Sequence, residues 1–524
     1  MTMHSSFLAS TKKELKDYYW AYSDILRDIG INESTYDQRI MAFMALKLLI
    51  DNDKLAFNLE YDNNFGLTSG DYIEYKGKDT KETFLNIIKD IEILGKQENL
   101  HYFHQESKYN PDKSKNILTY LNHYKTFELE RYILELPNKH LENVLDIYTF
   151  QADFRDYPKD EYKDLYEKTV SRMKKMSGDL TGQHFTQKSI IHLMCEMGIQ
   201  GVKDNEKLAI YDPTSGTGSM LMESAYYFKK HTKVKEIELY GQEMHGQTWL
   251  LSKIFLEITN QYNIIAYGNT LIKPAFANGI NGIDSFDFII ANPPFGVDWK
   301  HNYDEVEANM KSVESNFYVV RDEKGKVVTP KKSDGQFLFM MHIINLMKKE
   351  DARGKRATAG IISSSTLIST GSSTSREAKI RKAIFGEKLV SAVLEQPNAM
   401  FTNTDITSHI WFLDTLASDK IKIVKADTKE ESLFVSHPNA KDKMKHAYSD
   451  ENIKKLKRYL TNKTDKKYIV KSIGHERCEV NISNEIGFKD DTEDLSIDAL
   501  LGELDVLMKE MCDDYSANGL LGLS

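Results

Sequence analysis

KLAIYDPTSGTGSML, residues 207–221, combines an apolar run, an acidic residue, a glycine turn and the start of a helical pattern. An apolar run that leads through glycines into a helix is typical of the first unit of a parallel α/β sheet. The glycines, Gly216 and Gly218, let a ligand approach the backbone closely, although many such turns are only tight turns. The dinucleotide fingerprint G-x-G-x-x-G is not met, because Leu221 occupies its last position.

The surrounding chain repeats this organisation. Short apolar runs alternate with helical patterns, which predicts parallel βαβ units. The predicted strands are 207–212, 236–241, 262–268, 286–292, 358–364, 389–396 and 408–414, and the predicted helices are 218–230, 246–260 and 335–349. We therefore predict an α/β fold with a doubly wound, mostly parallel sheet.

The chain is long enough for several domains, because 524 residues exceed one ordinary hydrophobic core. Residues 1–165 read mainly as helices, residues 166–430 carry the strand–helix alternation, and residues 431–524 are more polar. We predict a helical N-terminal domain, an α/β domain and a C-terminal region with an amphipathic helix at these boundaries.

The formal net charge of −9 is unevenly distributed. Residues 475–524 contain 13 acidic and 3 basic residues, a balance of −10, which leaves +1 for the rest of the chain. A near-neutral body with basic clusters can bind a polyanion, although for each cluster alone a solvated helix face is the favoured interpretation. The basic clusters comprise Arg353, Lys355, Arg356, Arg376, Lys379, Arg381, Lys382 and the range 441–471.

The spacing of the cysteines and the lengths of the apolar runs indicate the cellular compartment of the protein. Cys195, Cys478 and Cys512 lie far apart and show no metal-binding spacing, which favours a reducing environment. The N-terminal residues show no signal-peptide pattern, and no apolar run approaches the length of a membrane span. We expect a cytoplasmic protein with no bound metal and no membrane partner.

Polar residues end three consecutive predicted strands. Asp212 suits a ligand that carries a positive charge, such as an amino group or a sulfonium. Glu243 can accept both hydroxyls of a ribose, and Asn269 is placed to hydrogen-bond a purine edge. Because ligands bind beyond the carboxyl ends of strands in open α/β sheets, we expect a binding site here. A surface acid or a turn asparagine is the alternative for each residue alone.

The fourth predicted strand ends in Asn292-Pro293-Pro294-Phe295. Proline has no N–H, so this stiff loop offers carbonyl acceptors, and the Asn292 amide oxygen adds another. Converging acceptors suit an NH₂ group held by both hydrogens, and Phe295 can stack on a planar ring. The alternative is a loop whose prolines merely end a strand. Upstream, the Thr186 hydroxyl and nearby backbone donors could hold a carboxylate where a helix opens.

Five segments in this order carry a family resemblance: GQHFTQ (182–187), DPTSGTGSML (212–221), GQEMHG (241–246), GNTL (268–271) and NPPFG (292–296). They resemble the amino-methylating DNA methyltransferases whose cofactor motifs precede the catalytic motif. The ranges 332–348, 356–371, 375–385 and 400–414 look like later segments of the modification subunit of type I restriction–modification systems. The resemblance covers most of residues 35–415.

The resemblance implies a Rossmann-like methyltransferase domain that transfers a methyl group from S-adenosyl-L-methionine to N6 of a flipped-out adenine. The catalytic residues it implies are Asn292, Pro293, Pro294 and Phe295. The cofactor-binding residues it implies are Gln183, His184, Phe185, Thr186, Asp212, Thr214, Ser215, Gly216, Gly218, Ser219, Glu243, Asn269, Thr270 and Asn292.

The chain departs from the family pattern at two positions. Gln187 stands where the family usually has proline, so we expect a less rigid cofactor loop. Asn269 replaces a frequent aspartate at the position that reads the adenine of the cofactor. Because an amide can still accept a hydrogen bond, we expect a modest loss of activity rather than inactivation. After the NPPF segment, residues 296–335 are polar and long for a connection, and we expect poor order there without DNA.

The resemblance also implies partners: double-stranded DNA, a separate specificity subunit in a ratio of two methylation subunits to one, and a restriction/translocase subunit in the full complex. In 495–511 an apolar stripe of Ile497, Leu501, Leu504, Met508 and Met511 suits a helical partner, or packing on its own domain. No nuclease or helicase motif is evident, so we expect a chain that modifies DNA but does not cut it.

Two other functions fit part of the pattern. The same chemistry could act on an RNA base or on a protein glutamine, although the long helical N-terminal part favours DNA. A structural subunit that has lost catalysis is the non-enzymatic alternative, and the intact Asn292 and Asp212 argue against it.

Overall fold

The structure is a computed structural model. It describes residues 15–32, 36, 39–40, 43, 81, 85, 129–147, 186–202, 207–246, 248–249, 252–253, 256, 262–276, 286–352, 354, 356–401, 407–428, 430–437, 445–462, 465–467 and 469–476. Gln183, His184, Phe185 and the stripe in 495–511 lie outside these residues, as does the proposed boundary at residue 165. Within the described ranges, no helix has the length and apolarity needed to cross a bilayer.

The strands in the described ranges are β1 Lys207–Asp212, β2 Glu236–Glu243, β3 Tyr262–Tyr267, β4 Phe288–Ala291, β5 Thr358–Ser364, β6 Val390–Glu395, β7 Ser408–Asp414, β8 Lys420–Lys425, β9 Val435–Ser436, β10 His446–Ala447 and β11 Val470–Gly474. The helices are α1 Leu15–Asp28, α2 Leu129–Glu135, α3 Asn138–Asp146, α4 Lys188–Val202, α5 Ser219–His231, α6 Tyr303–Lys311, α7 Gln336–Ala352, α8 Thr366–Ser369, α9 Arg376–Gly386 and α10 Asp450–Thr461. A 3₁₀ turn, Lys300–Asn302, precedes α6.

The described strands form a nine-stranded sheet in the order β11-β8-β6-β7-β5-β4-β1-β2-β3. β1 pairs in parallel with both β2 and β4, and β3 and β5 continue the parallel sheet on the two sides. β7 lies antiparallel between β5 and β6, and β11 is antiparallel to β8. The predicted α/β fold with a mostly parallel, doubly wound sheet is confirmed.

The chain leaves β1 toward β2 on one side and reaches β4 on the other, so the strand order reverses at β1. In open α/β sheets the crevice beyond the carboxyl ends of strands at such a reversal binds ligands. The residues that directly follow β1 and β4 therefore lie side by side at this crevice. This topology places Asp212 and the NPPF segment next to each other.

Helices cover both faces of the sheet. On β1, Ile210 packs in one apolar core with side chains of α4, α5 and α10, and Tyr211 packs in the other core with α7 and α9. A strand buried on both faces needs apolar residues at successive positions. This explains why the central predicted strands are continuous apolar runs. All seven predicted strands are present in the structure, as β1 to β7.

The sequence did not predict two strands of the nine-stranded sheet, β8 and β11, nor the short pair β9 and β10. β8 reads KIKIVK, which alternates charge with apolar residues, yet Lys422 is buried and its Nζ donates to Ser472 Oγ over 2.7 Å. β11 lies after residue 430 and pairs with β8. The sheet thus continues into the part of the chain that we assigned to the C-terminal region.

The expectation of poor order in residues 296–335 is wrong. Trp299 is buried, its backbone N donates to Lys332 O over 2.8 Å, and its indole Nε1 donates to Lys331 O over 2.9 Å. α6 lies in this segment and buries Val306 and Met310. The apolar residues are spaced widely among charged ones, so the packed segment resembled a polar linker in the sequence.

Candidate functional site

Asp212 ends β1 and opens the glycine turn. Its Oδ1 accepts hydrogen bonds from the Thr214 N–H at 2.8 Å and from the Thr214 hydroxyl at 3.3 Å. Gly216 and Gly218 follow with φ of 52° and 79°, which L side chains rarely adopt. The turn leads directly into α5 at Ser219. A short, closely hydrogen-bonded turn therefore presents its backbone at the ligand crevice.

The Asp212 carboxylate is buried, with 1% of its surface exposed. Its Oδ2 has no hydrogen-bond partner among the described residues. Burial raises the pKa of Asp212 to about 7, although the Thr214 hydrogen bonds lower it, and the Glu243 charge raises it further. A buried carboxylate without a cation is costly, so a positive group placed beside Asp212 would relieve this cost.

Glu243 ends β2 and reaches the same turn. Its Oε2 accepts from the Gly216 N–H at 3.0 Å, and its Oε1 accepts from the His245 N–H at 2.7 Å. Burial raises the pKa of Glu243, while the His245 hydrogen bond opposes this shift. The carboxylate also accepts from the Met244 N–H, and it keeps the capacity to accept a further hydrogen bond from a ligand hydroxyl.

Ser215 connects the glycine turn to β2. Its N–H donates to Gln242 O over 3.0 Å, and its buried hydroxyl has no partner among the described residues. Gly241 lies beneath it, and a Cβ added at Gly241 would stand 2.7 Å from Ser215 Cβ and 2.9 Å from Ile265 Cδ1. The close approach of turn and strand depends on this glycine.

We expect Gly241→Ala to lower the free energy of unfolding by about 1–3 kcal/mol, because the new methyl group forces the Ser215 turn away from β2. Cofactor binding should weaken as well. The matched control is Gly386→Ala, since Gly386 has nothing within 4 Å of its added Cβ. This control should be neutral or stabilising by up to about 1 kcal/mol. Urea unfolding of both variants checks the prediction, and equal stabilities would contradict it.

The segment after β3 supports the turn from a third side. The Thr270 hydroxyl donates to Pro213 O over 2.6 Å, which ties this segment to the turn. Asn269 Oδ1 accepts from the Leu271 N–H at 2.9 Å, so this oxygen holds a local turn. The sequence reading missed Gln242, whose buried amide bonds to both Lys273 O and the Ala275 N–H at 2.9 Å. Its position directly before Glu243 was the available signal.

Asn292 directly follows β4 and points to the start of α4. Its Nδ2 donates to Thr186 Oγ1 over 2.9 Å, across 106 residues of sequence. The Thr186 hydroxyl in turn donates to Met220 Sδ over 3.2 Å. The structure therefore joins the candidate catalytic loop, the candidate cofactor loop and α5 through one hydroxyl.

The rest of the NPPF segment is partly enclosed. Pro293 is buried, and Pro294 and Phe295 are half-buried. The rings of Phe295 and Phe401 meet edge to face, with centroids 6.4 Å apart at 80°. A half-buried aromatic ring beside converging acceptors is a suitable wall for a planar base.

The Gln187 side chain is held by hydrogen bonds, whereas residues 183–185 of the loop before it lie outside the described residues, so the less rigid loop stays a prediction. This side chain is buried, and Nε2 donates to Met400 O and to His446 O, the latter at 2.9 Å. The backbone of Tyr448 reaches the same region by donating to Ser189 Oγ over 3.3 Å. An amide with two donors thus ties the start of α4 to distant segments, which a proline could not do.

Part of the predicted basic surface is internal. Arg381 is buried, and its guanidinium donates to Leu367 O and to Thr370 O. Arg356 pairs with Asp414 at 2.7 Å. Lys379 and Lys382 remain exposed on α9. The positive charge available to a polyanion is therefore smaller here than the sequence clusters indicated.

The site and the fold together define a class. A doubly wound sheet that reverses at β1, with an acidic glycine turn after β1 and NPPF after β4, is the arrangement of Rossmann-like methyltransferases. A solved type I restriction-modification system methyltransferase subunit from Streptococcus thermophilus shares the fold, with a TM-score of 0.60 and 17% sequence identity. The match covers 90% of this chain and 98% of that one.

Within this class the chain belongs to the N-6 DNA Methylase family, whose profile matches residues 157–486. It is 27% identical over 275 residues to the type I restriction enzyme HindI methylase subunit of Haemophilus influenzae, covering 52% of this chain and 55% of that protein. It is 23% identical over 386 residues to the MpnII methylase subunit of Mycoplasma pneumoniae, covering 71% of this chain and 65% of that protein. The chain therefore spans just over half to about two thirds of these relatives.

Proposed function

We propose that this chain transfers a methyl group from S-adenosyl-L-methionine to N6 of an adenine in DNA, as the methylation subunit of a type I restriction–modification system. One observation carries the proposal. The acidic glycine turn after β1 and the NPPF loop after β4 end adjacent parallel strands at the reversal of the sheet. A methyl donor held by the glycine turn would thus lie adjacent to a methyl acceptor held by the NPPF loop.

The residues around the turn fit this cofactor. The buried Asp212 Oδ2 has no partner among the described residues and suits the amino group or sulfonium. Glu243 suits the ribose hydroxyls, and Ser215 and the backbone of Gly216 and Gly218 complete the cradle. Thr214, Ser219 and Thr270 belong to the same proposed surface, with the loop residues Gln183, His184 and Phe185. For Asn269 we propose that its amide NH₂ faces the adenine ring, because its oxygen holds the Leu271 N–H.

When bound, the cofactor supplies an electrophilic methyl group on sulfur. Asn292 Oδ1 and the Pro293 carbonyl accept one N–H each from the adenine amino group. These hydrogen bonds draw the N6 lone pair out of ring conjugation and aim it at the methyl carbon. The N6–C bond forms as the S–C bond breaks, and the extra N6 proton leaves afterwards to solvent.

The remaining residues of the loop position the base. Phe295 stacks on the extruded ring, and Pro294 keeps the loop stiff. Positioning and directed acceptors supply most of the rate acceleration, so no strong base is needed beside the loop.

The partners belong to the same proposal. A separate specificity subunit selects the DNA sequence, with two methylation chains to one such subunit and a restriction/translocase subunit in the full complex. The apolar stripe in residues 495–511 is the proposed docking element. The relatives support this assignment, since they are methylase subunits of type I restriction enzymes.

Transfer of tritiated methyl groups tests the function. The chain, alone and co-expressed with a specificity subunit, is incubated with labelled cofactor and with duplex DNA, RNA or a glutamine-containing protein extract. We expect label in N6-methyladenine of duplex DNA, with sequence selection only when the specificity subunit is present. Label in RNA or protein but never in DNA would overturn the proposal.

A further inference from the structure

We propose that Gln187 is a positioning residue for Phe295, the ring that stacks on the extruded adenine in the proposed function. The inference rests on that function and adds a residue to its base-binding side. Gln187 acts through residues 396–401, which follow β6 and which we call the 396–401 loop. A continuous path of contacts runs from the Gln187 amide through this loop to the Phe295 ring.

The Gln187 side chain joins the start of α4 to the 396–401 loop. Its amide nitrogen donates one N–H to Met400 O and the other to His446 O, the latter over 2.9 Å. The Ser189 hydroxyl donates to the amide oxygen at 3.4 Å. Because the NH₂ group faces two carbonyl acceptors and the oxygen faces a hydroxyl donor, the amide has one favourable orientation. The Met400 carbonyl is therefore held in a fixed place relative to α4.

The residue after Met400 contacts the base-binding ring. The rings of Phe401 and Phe295 meet edge to face, with centroids 6.4 Å apart. Phe401 is buried, with 1% of its surface exposed, whereas Phe295 is half-buried. The buried ring is the fixed member of the pair and limits the rotation of the other. Since edge-to-face pairs have a preferred geometry, a shift of the backbone at Met400 changes the plane in which Phe295 can stack.

The backbone of the 396–401 loop depends on contacts from outside it. Ala399 has a φ of 56°, in the left-handed region that residues other than glycine seldom adopt. Its carbonyl accepts from the backbone N–H groups of Lys445 at 3.0 Å and of His446 at 3.5 Å. A strained backbone persists only where the surrounding structure fixes it. Gln187 adds to this support from both sides, because one of its acceptors belongs to the loop and the other to β10.

Gln187→Met keeps the length of the side chain and removes both donors. In the complex of the full chain with its specificity subunit, single-turnover methyl transfer to a paired target adenine should fall by about 3- to 10-fold. This range corresponds to the loss of one edge-to-face aromatic contact. With a mispaired target adenine the fall should be under about twofold, because extrusion then costs less and depends less on stacking. Cofactor Kd, measured by calorimetry, should stay within about twofold.

Two further variants test the same path. Gln187→Asn keeps an amide that is too short to reach both carbonyls, and it should show the same pattern with a smaller loss. In a Phe401→Leu background, Gln187→Met should cost less than about twofold more, because the contact through which it acts is already lost. Gln200→Met is the matched control. Gln200 is exposed on the same helix, and the hydrogen bond from Arg356 goes to its backbone carbonyl, so transfer should keep the original rate.

Three results would overturn the inference. They are an equal loss with paired and mispaired adenine, full multiplication of the two losses in the double variant, and a tenfold weaker cofactor Kd with unchanged transfer. If Asn292→Ala is inactive while Gln187→Met transfers at the original rate, only this inference fails. If Asn292→Ala is active, the proposed function fails.

Discussion

Asn292→Ala should lower methyl transfer to DNA by about 10²- to 10³-fold or more, with cofactor affinity within about threefold of the original. The truncation removes the proposed Oδ1 acceptor for the adenine amino group, and it removes the hydrogen bond to Thr186. The glycine turn does not depend on this side chain, because other residues hold it. The Thr214 N–H donates to Asp212, and the Gly216 N–H donates to Glu243. The Ser215 N–H donates to the Gln242 carbonyl. The effect should therefore fall on kcat.

The measurement is single-turnover transfer of labelled methyl groups at saturating cofactor, with a thermal melt to confirm folding. Asn302→Ala is the matched control, because Asn302 lies ten residues later and its side chain makes no capping hydrogen bond to α6. The control should transfer at the original rate. Near-original transfer by Asn292→Ala would remove Asn292 from the catalytic role.

Asp212→Asn should weaken cofactor binding by about 10- to 100-fold, because it removes the negative charge that we propose lies opposite the positive group of the cofactor. The substitution keeps the size of the side chain and an oxygen that can accept from the Thr214 N–H. The loss should therefore appear in Kd more than in the fold of the turn. Calorimetric titration with the cofactor measures it.

The same pair of proteins should differ in pH dependence. The pKa of Asp212 is raised by burial to about 7, so the folded state holds its proton more tightly than the unfolded chain. Its favourable contribution to stability is fully present below the ordinary value of 3.8 and is lost as pH rises through about 7. Without cofactor at pH 8, Asp212→Asn should be more stable than the original protein.

Cofactor affinity should show the opposite trend. A positive ligand favours the ionised carboxylate, so affinity of the original protein should rise from pH 6 to pH 8 as Asp212 loses its proton. The Asn variant retains the pH dependence of the cofactor itself and of Glu243, whose pKa burial also raises. Equal slopes of Kd against pH in the two proteins would show that Asp212 does not titrate at the site.

Most of the predicted strands that the structure contains are buried on both faces, whereas the edge strand β3 is partly exposed on one face. The runs around Leu208, Ile289 and Ile361 are continuous because helices cover both sides of the sheet. β8 escaped prediction because Lys422 is buried with its charge satisfied by Asp465 and Ser472. The structured segment of residues 296–335 escaped because its apolar residues lack a regular period.

The chemistry available at the carboxyl edge of the sheet follows from the sequence. Strand ends can be read from where apolar runs stop, so the sequence places Asp212, Glu243 and Asn292 at one edge of the sheet. The hydrogen-bond partners of these side chains follow from the tertiary structure alone. Asn292 reaches Thr186 over 106 residues, and Gln187 reaches Met400 and His446 over still longer separations. Such hydrogen bonds depend on how distant elements pack, and local sequence patterns carry no record of that packing.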